Sequence, residues 1–397
     1  MAAETPVRRN VFVLATCQML FGSSRTLLIA TTPVIALGMG YKALATMPAA
    51  LVIVGTAIAT MPASMFMRFT GRRLGFMVGA GIGAVSGVMV LVAIIQAHFW
   101  LLCLAALTYG VFAAFGQYFR FAAADTAPQE FKSTAISLVL TGGVVAAFVG
   151  PYLAKSGEKL VATGAFMGSY VFLIGLMGLI ALVLIFLNIP NLTPSERAAA
   201  QRSLPRIMAQ PVFIAATLAA TMGQGVMNLL MTAIPIAMVE ADFQFADTAF
   251  VISWHSFGMF APGFVTGSLI KRFGEVRVIL TGVALQLLCI GVALSGEGVM
   301  EFWLSMLLLG VGWNFAFTGG TSLLTTSYTP AERNKTQGAM SFINYAFVAV
   351  VSLSSGALLH YFGWEWVNLS SIPLLVVAVV ATLWFVLARP PAAPAPA

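Results

Sequence analysis

Twelve stretches of the chain are apolar over roughly twenty residues or more, at about 11–37, 44–67, 74–96, 99–121, 133–154, 166–187, 211–238, 247–270, 276–295, 302–327, 336–359 and 366–388. A helix needs about 20 apolar residues to cross a bilayer at ~1.5 Å of rise per residue. Backbone in hydrocarbon must satisfy its own hydrogen bonds. Long continuous runs therefore specify helices, whereas barrel strands alternate over about ten residues. The expected fold is an all-α, polytopic membrane protein with twelve transmembrane helices. Composition agrees, with 60 % of the 397 residues apolar and 8 % charged, which no soluble globular domain matches.

The net charge of +7 orients this chain and does not recruit nucleic acid. With the N-terminus cytoplasmic, sixteen Lys and Arg fall on the cytoplasmic side, and the opposite loops hold only Lys42, Lys155 and Lys159 beside seven acids. Such an asymmetry fixes topology with both termini inside, which places the chain in a cytoplasmic (inner) membrane. The start, Arg8-Arg9 before Val11 to Phe21, imitates a secretory signal, but apolar character resumes after Arg25 and runs to Leu37, so a first span is expected instead. Cys17, Cys103 and Cys289 fall in separate spans and suggest neither a disulfide framework nor a metal site.

The longest polar segment runs from Asn188 to Gln210 and divides the chain into 1–187, a linker 188–210, and 211–388, followed by an Ala/Pro tail at 389–397 expected to be disordered. The two long parts repeat. Ser64-Met-Phe-Met-Arg68-Phe-Thr-Gly71-Arg72-Arg73 after the second run is echoed by Gly267-Ser-Leu-Ile-Lys271-Arg272-Phe-Gly274 after the eighth. Pro128-Gln-Glu130 is echoed by Pro330-Ala-Glu332, and Leu27-Leu28 with Pro33 by Leu229-Leu230 with Pro235, always at an offset of 202 or 203. Parallel six-helix repeats are a recognised transporter plan.

The Gly71-Arg72-Arg73 loop and its Gly267…Lys271-Arg272-Phe273-Gly274 echo resemble the signature loop of the major facilitator superfamily, and Gly150-Pro151 resembles part of its antiporter motif. The resemblance implies two pseudo-symmetric six-helix bundles around a cavity lined by spans 1, 4, 7 and 10, opening alternately to either side. It also assigns Arg68, Gly71, Arg72, Arg73, Gly267, Lys271, Arg272 and Gly274 to loops that move with the conformational change. In the family an acid usually stands where Met67 or Arg68 stands here, so a latch built on that acid is not expected.

Arg25 lies about 20 Å into the first span, where a bare charge costs ~3 kcal/mol or more. It is expected to anchor an electron-rich or anionic group, the alternative being an interhelical pair or a side chain that snorkels. Gln18 is seven residues earlier on the same face. Arg120 is expected at the cytoplasmic interface as a topological anchor, with Gln117 one turn deeper. Gln224 and Asn228 in the seventh span, Asn314 beside Trp313 in the tenth, and Tyr109 in the fourth complete the candidate substrate-binding set. Phe112, Phe115, Tyr118, Trp254, Phe315 and Phe317 are further aromatics on these helices, suited to packing or to stacking on a flat ring such as a flavin-like vitamin. His255 is the histidine placed inside a span and the candidate for proton coupling, against a neutral histidine bonded to the next helix.

Three functional classes follow. Secondary transport of a small organic solute leads, with a multidrug-type efflux carrier or an uncoupled facilitator as variants. An intramembrane enzyme would need paired acids or a His-Glu-x-x-His helix, and neither pattern occurs. A carrier-like sensor is the third class. No cofactor and no metal are expected. The expected partners are the solute, the lipid bilayer and, if transport is coupled, protons, with the chain acting as a monomer.

Overall fold

The computed structural model describes residues 4–41, 44–158, 160, 166–190 and 201–388. The expected tail at 389–397, and residues 191–200 of the linker, lie outside the described residues. The first half contains α1 (Glu4–Gly38), α2 (Met47–Thr70), α3 (Arg72–Ile95), α4 (Phe99–Gly116), α5 (Phe119–Thr126), α6 (Lys132–Glu158) and α7 (Met167–Leu184). The second contains α8 (Leu204–Met208), α9 (Pro211–Glu240), α10 (Phe245–Phe260), α11 (Gly263–Phe273), α12 (Glu275–Ala293), α13 (Val299–Leu324), α14 (Arg333–Leu369) and α15 (Ser371–Leu387).

Ten helical stretches among the described residues are long and apolar enough to cross a membrane. The other two expected runs are also helical. The eighth is interrupted at Ala261-Pro262, between α10 and α11, where proline has no N–H to give the helix. The eleventh lies within α14. That helix is itself broken at Gly363 (φ 80°, ψ 176°), so the eleventh and twelfth runs are separate rods.

The repeat is visible in the backbone. Gly71 (φ 85°, ψ 164°) starts α3 and Gly274 (φ 82°, ψ 159°) starts α12, a conformation essentially restricted to glycine. Short 3₁₀ turns at Gln129–Phe131 and Pro330–Glu332 precede α6 and α14. Close helix crossings recur as well. A Cβ on Gly110 would lie 2.5 Å from the Val52 carbonyl, and one on Gly310 would lie 2.5 Å from the His255 carbonyl. In both halves only glycine lets the two backbones meet.

Packing arranges eight rods in a closed circuit. α2 lies on α4, α4 and α5 on α1, α1 on α6, α6 on α10 and α11, these on α13, α13 on α9, α9 on α14, and α14 back on α2. The helices α3 and α7 back the first half of the circuit, as α12 and α15 back the second. Each end of the linker is tied to its own half. Asn10 and Asn188 exchange hydrogen bonds of 2.8 and 3.1 Å. Arg202 clamps Glu332 through Nη2 at 2.6 Å and Nε at 2.9 Å and also donates to the Ser327 carbonyl. Those charge-assisted bonds hold the Glu332 carboxyl down to about 2.

Candidate functional site

On α1 the faces can be assigned from contacts. Gly22 and Thr26 press on α6, where Thr26 donates to the Ala146 carbonyl. Phe21 meets Phe112 and Phe119, and Ser24 bonds Tyr109, on the α4–α5 side. Gln18 and Arg25 occupy the strip between these faces, at 100° per residue, which is the side turned toward the middle of the circuit. Both are half-buried. Arg25 has no hydrogen-bond or ion-pair partner among the described residues, although its charge reaches the Tyr109 phenol.

Tyr109 corrects one expectation. Its hydroxyl is 2.6 Å from Ser24 Oγ, so it packs between α4 and α1 rather than on the strip that carries Gln18 and Arg25. The reason is register: Tyr109 lies on the α4 face that packs on α1.

Across the circuit, Trp313 donates its indole N–H to Gln224 Oε1 at 2.6 Å and stacks on Phe317 with ring centroids 5.0 Å apart. Asn228 is half-buried one turn from Gln224 and donates to its carbonyl at 2.9 Å. Asn314 departs from expectation. Its amide donates to the Met259 carbonyl at 2.7 Å and accepts from Thr266 at 2.7 Å, a sealed staple between α13 and the broken eighth span. One residue after Trp313, it is rotated 100° away from the interior.

Arg120 also departs from expectation. It is not an interfacial anchor but only 4 % exposed, with its guanidinium 4.5 Å from the Phe317 ring of the other half and 4.8 Å from Phe121. Nη1 donates to Gln117 Oε1 at 3.2 Å, while Nε is buried without a partner among the described residues. Counting residues along one straight helix puts Arg120 at the surface. The rod breaks between Gly116 and Phe119, and the opposite half closes over the side chain.

His255 is enclosed, its Nδ1 2.8 Å from the Met306 carbonyl of α13. A carbonyl only accepts, so Nδ1 carries the proton. Nε2 has no partner among the described residues.

The halves meet at the end bearing the basic loops. Arg72 is buried, donating from Nε and Nη2 to Asp125 at 3.1 and 2.9 Å and from Nη2 to Gln337 Oε1 of α14 at 2.5 Å. Gln337 in turn donates to Asp125 at 3.2 Å, Arg333 lies 3.7 Å from the same carboxylate, and Ser64 donates to the Asn334 carbonyl at 2.6 Å. Met67, standing where the family has an acid, places its sulfur 3.8 Å from Arg72 Nη1. No acid at 67 or 68 takes part, and the seam is built instead on Asp125 at the end of α5.

On the other seam Gly267 is buried against α6. Ser133 donates to its carbonyl and its N–H donates to Ser137 at 3.1 Å, while an added Cβ would lie 2.4 Å from Thr134 Cα. Arg68 is half-buried and lies over Phe69, Arg272 is exposed over Phe273, and Arg73 and Lys271 are also exposed. Asp125, Gln337 and Arg120 escape sequence reasoning because their roles come from the partner half. An acid three residues before the Pro128 turn was the available signal for Asp125.

A family model described as Major Facilitator Superfamily matches residues 215–397. The chain is 39 % identical over 384 residues to the riboflavin transporter RfnT of Brucella anthropi, covering 96 % of each chain. It is 27 % identical to the MFS-type transporter YdeG of Bacillus subtilis, over 88 % of this chain and 85 % of that one. Its fold is similar to the E. coli fucose:proton symporter FucP with a TM-score of 0.77 at 14 % identity, covering 94 % of this chain and 98 % of the other. With its helical circuit, its backbone repeat and these relatives, the chain belongs to the major facilitator superfamily.

Proposed function

We propose that this transporter moves a flat, electron-rich heteroaromatic solute of the riboflavin type across the cytoplasmic membrane by alternating access, with 1–187 and 211–388 as the two rocking units. The carrying observation is that an unpaired guanidinium and a stacked aromatic wall face the same interior. Arg25 with Gln18 approaches from one half, and Trp313–Phe317, oriented by Gln224, from the other. Arg25 supplies hydrogen-bond donors to carbonyl or ribityl oxygens, and the indole supplies a stacking face. The 39 % identity to a riboflavin transporter supports the flavin class. With the basic end cytoplasmic, the Arg72–Asp125–Gln337 seam closes the inner side.

The test is uptake of riboflavin into liposomes or a riboflavin-auxotrophic strain expressing the chain. Saturable uptake competed by lumiflavin is expected, and no uptake above empty vesicles would overturn the reading.

His255 favours transport without proton coupling. Its Nδ1 proton is committed to the Met306 carbonyl and the ring is enclosed, and the buried carboxylates of Asp125 and Glu332 are already held by arginine. His255→Gln is expected to leave the pH profile of uptake between about pH 5 and 8 unchanged. A flattened profile would restore the histidine as coupling group.

A further inference from the structure

Among the described residues, several polar atoms are enclosed beside the candidate site without a partner. On α14, Gly338 presses on α2, since an added Cβ would lie 2.8 Å from Met61 Sδ, and Phe347 presses on Gly225 of α9. Ser341 and Asn344 lie on the strip between these two faces, the side turned to the middle of the circuit. Asn344 is 2 % exposed, and among the described residues neither its amide nitrogen nor its amide oxygen has a hydrogen-bond partner. α9 and α14 both run inward from the basic end. One turn back from the Phe347–Gly225 contact therefore brings Asn344 level with Thr221, whose hydroxyl is also enclosed and unpaired.

Tyr345 lies within electrostatic reach of Arg120 and the Ser341 hydroxyl within hydrogen-bonding reach of Tyr118, so α14 looks onto Arg120, whose Nε has no partner among the described residues. Asn344 is eleven residues from Arg333, about 16 Å in along the helix. Phe317, under the Arg120 guanidinium, is seven residues from Leu324, about 10 Å in.

Resting on the flavin reading above, we propose that Asn344 and Arg120 read the polar edge of the solute's ring, a cyclic imide with an acceptor–donor–acceptor pattern. The Asn344 amide N–H donates to one carbonyl, its oxygen accepts from the imide N–H, and Arg120 Nε donates to the second carbonyl. That assignment pairs each of these buried atoms. Arg120 belongs to the first half and Asn344 to the second, so one ligand edge is gripped from both sides at once, beside the Trp313–Phe317 wall. Leaving such groups unpaired is costly. The site should therefore reject an analogue whose imide N–H is replaced.

The experiment compares riboflavin with N3-methylriboflavin in liposome uptake, for the wild type and for Asn344→Ala, Asn344→Ser and Arg120→Lys at matched membrane abundance. The wild type is expected to show a KM about tenfold or more higher for the methyl analogue. In Asn344→Ala and Asn344→Ser the riboflavin KM rises to the analogue's value and the ratio falls to about one, whereas Arg120→Lys raises both and keeps the ratio. The wild-type comparison stands even if a variant fails to fold. Riboflavin uptake with equal KM for the two compounds, or an Asn344 variant that still discriminates, would overturn this inference while leaving the flavin reading intact. A wild type that transports neither compound would overturn both.

Discussion

Arg25 and Arg120 place two guanidinium groups inside the helix circuit with different environments. Arg120 lies against Phe317 and Phe121 and bonds Gln117, whereas Arg25 has no hydrogen-bond or ion-pair partner among the described residues. An unpaired, half-buried cation is free to take a ligand. Arg25→Ala is accordingly expected to lower riboflavin uptake at least about tenfold with normal membrane abundance, and Arg25→Lys to recover only part of it, because an ammonium lacks the planar fork. Wild-type uptake by Arg25→Ala would remove the role. Trp313→Ala should raise KM more than Trp313→Phe does, since the latter keeps a stacking face. At this scale the sequence was informative about depth and silent about direction. Arg25 was legible from its position in an unbroken run. Asn314 was not, because a single step of 100° turns it from the interior to Met259, and run boundaries do not fix rotation.

At the scale of elements, the glycine crossings set how closely rods approach. Gly110 against α2 and Gly258 with Gly310 against each other leave no room for a side chain. Gly110→Val and Gly310→Val are each expected to lose about 1–3 kcal/mol through overpacking, read as reduced thermal stability in detergent; a wild-type melting temperature would argue against backbone contact there. The Arg202–Glu332 clamp gives a pH signature. A carboxyl held near 2, against an ordinary 4.5, stabilises the fold in full above about 4.5 and loses that contribution as pH falls toward 2. Glu332→Gln should melt a few degrees lower than wild type at neutral pH, and the gap should close in acid. Ten membrane-length helical stretches were legible from hydropathy. The α4–α5 break was not, since Gly116-Gln117-Tyr118 carries no proline and its bend reflects tertiary packing.

The whole molecule is held in one state by contacts gathered at its basic end. Gln337 gives that seam two hydrogen bonds to charged groups across the halves, one from Arg72 and one to Asp125, each worth about 1.5–3 kcal/mol. Gln337→Ala is therefore expected to move the population toward opening at that end, by about tenfold or more. Cys17, Cys103 and Cys289 are buried. A Ser64→Cys reporter should thus be labelled from the cytoplasmic side by a membrane-impermeant maleimide, faster with Gln337→Ala than without; equal rates would count against the latch. The repeat offset of 202 or 203 was legible in the sequence and reappears in the φ and ψ of Gly71 and Gly274. The latch was not, because Met67 in the acid's place hid a carboxylate supplied from another helix.

The bonds that moor the linker, Asn188 to Asn10 and Arg202 to Glu332, keep each severed end docked if the strand between them is cut. The chain should accordingly tolerate scission there, and two separately encoded fragments, co-expressed, should find each other and rebuild a working carrier.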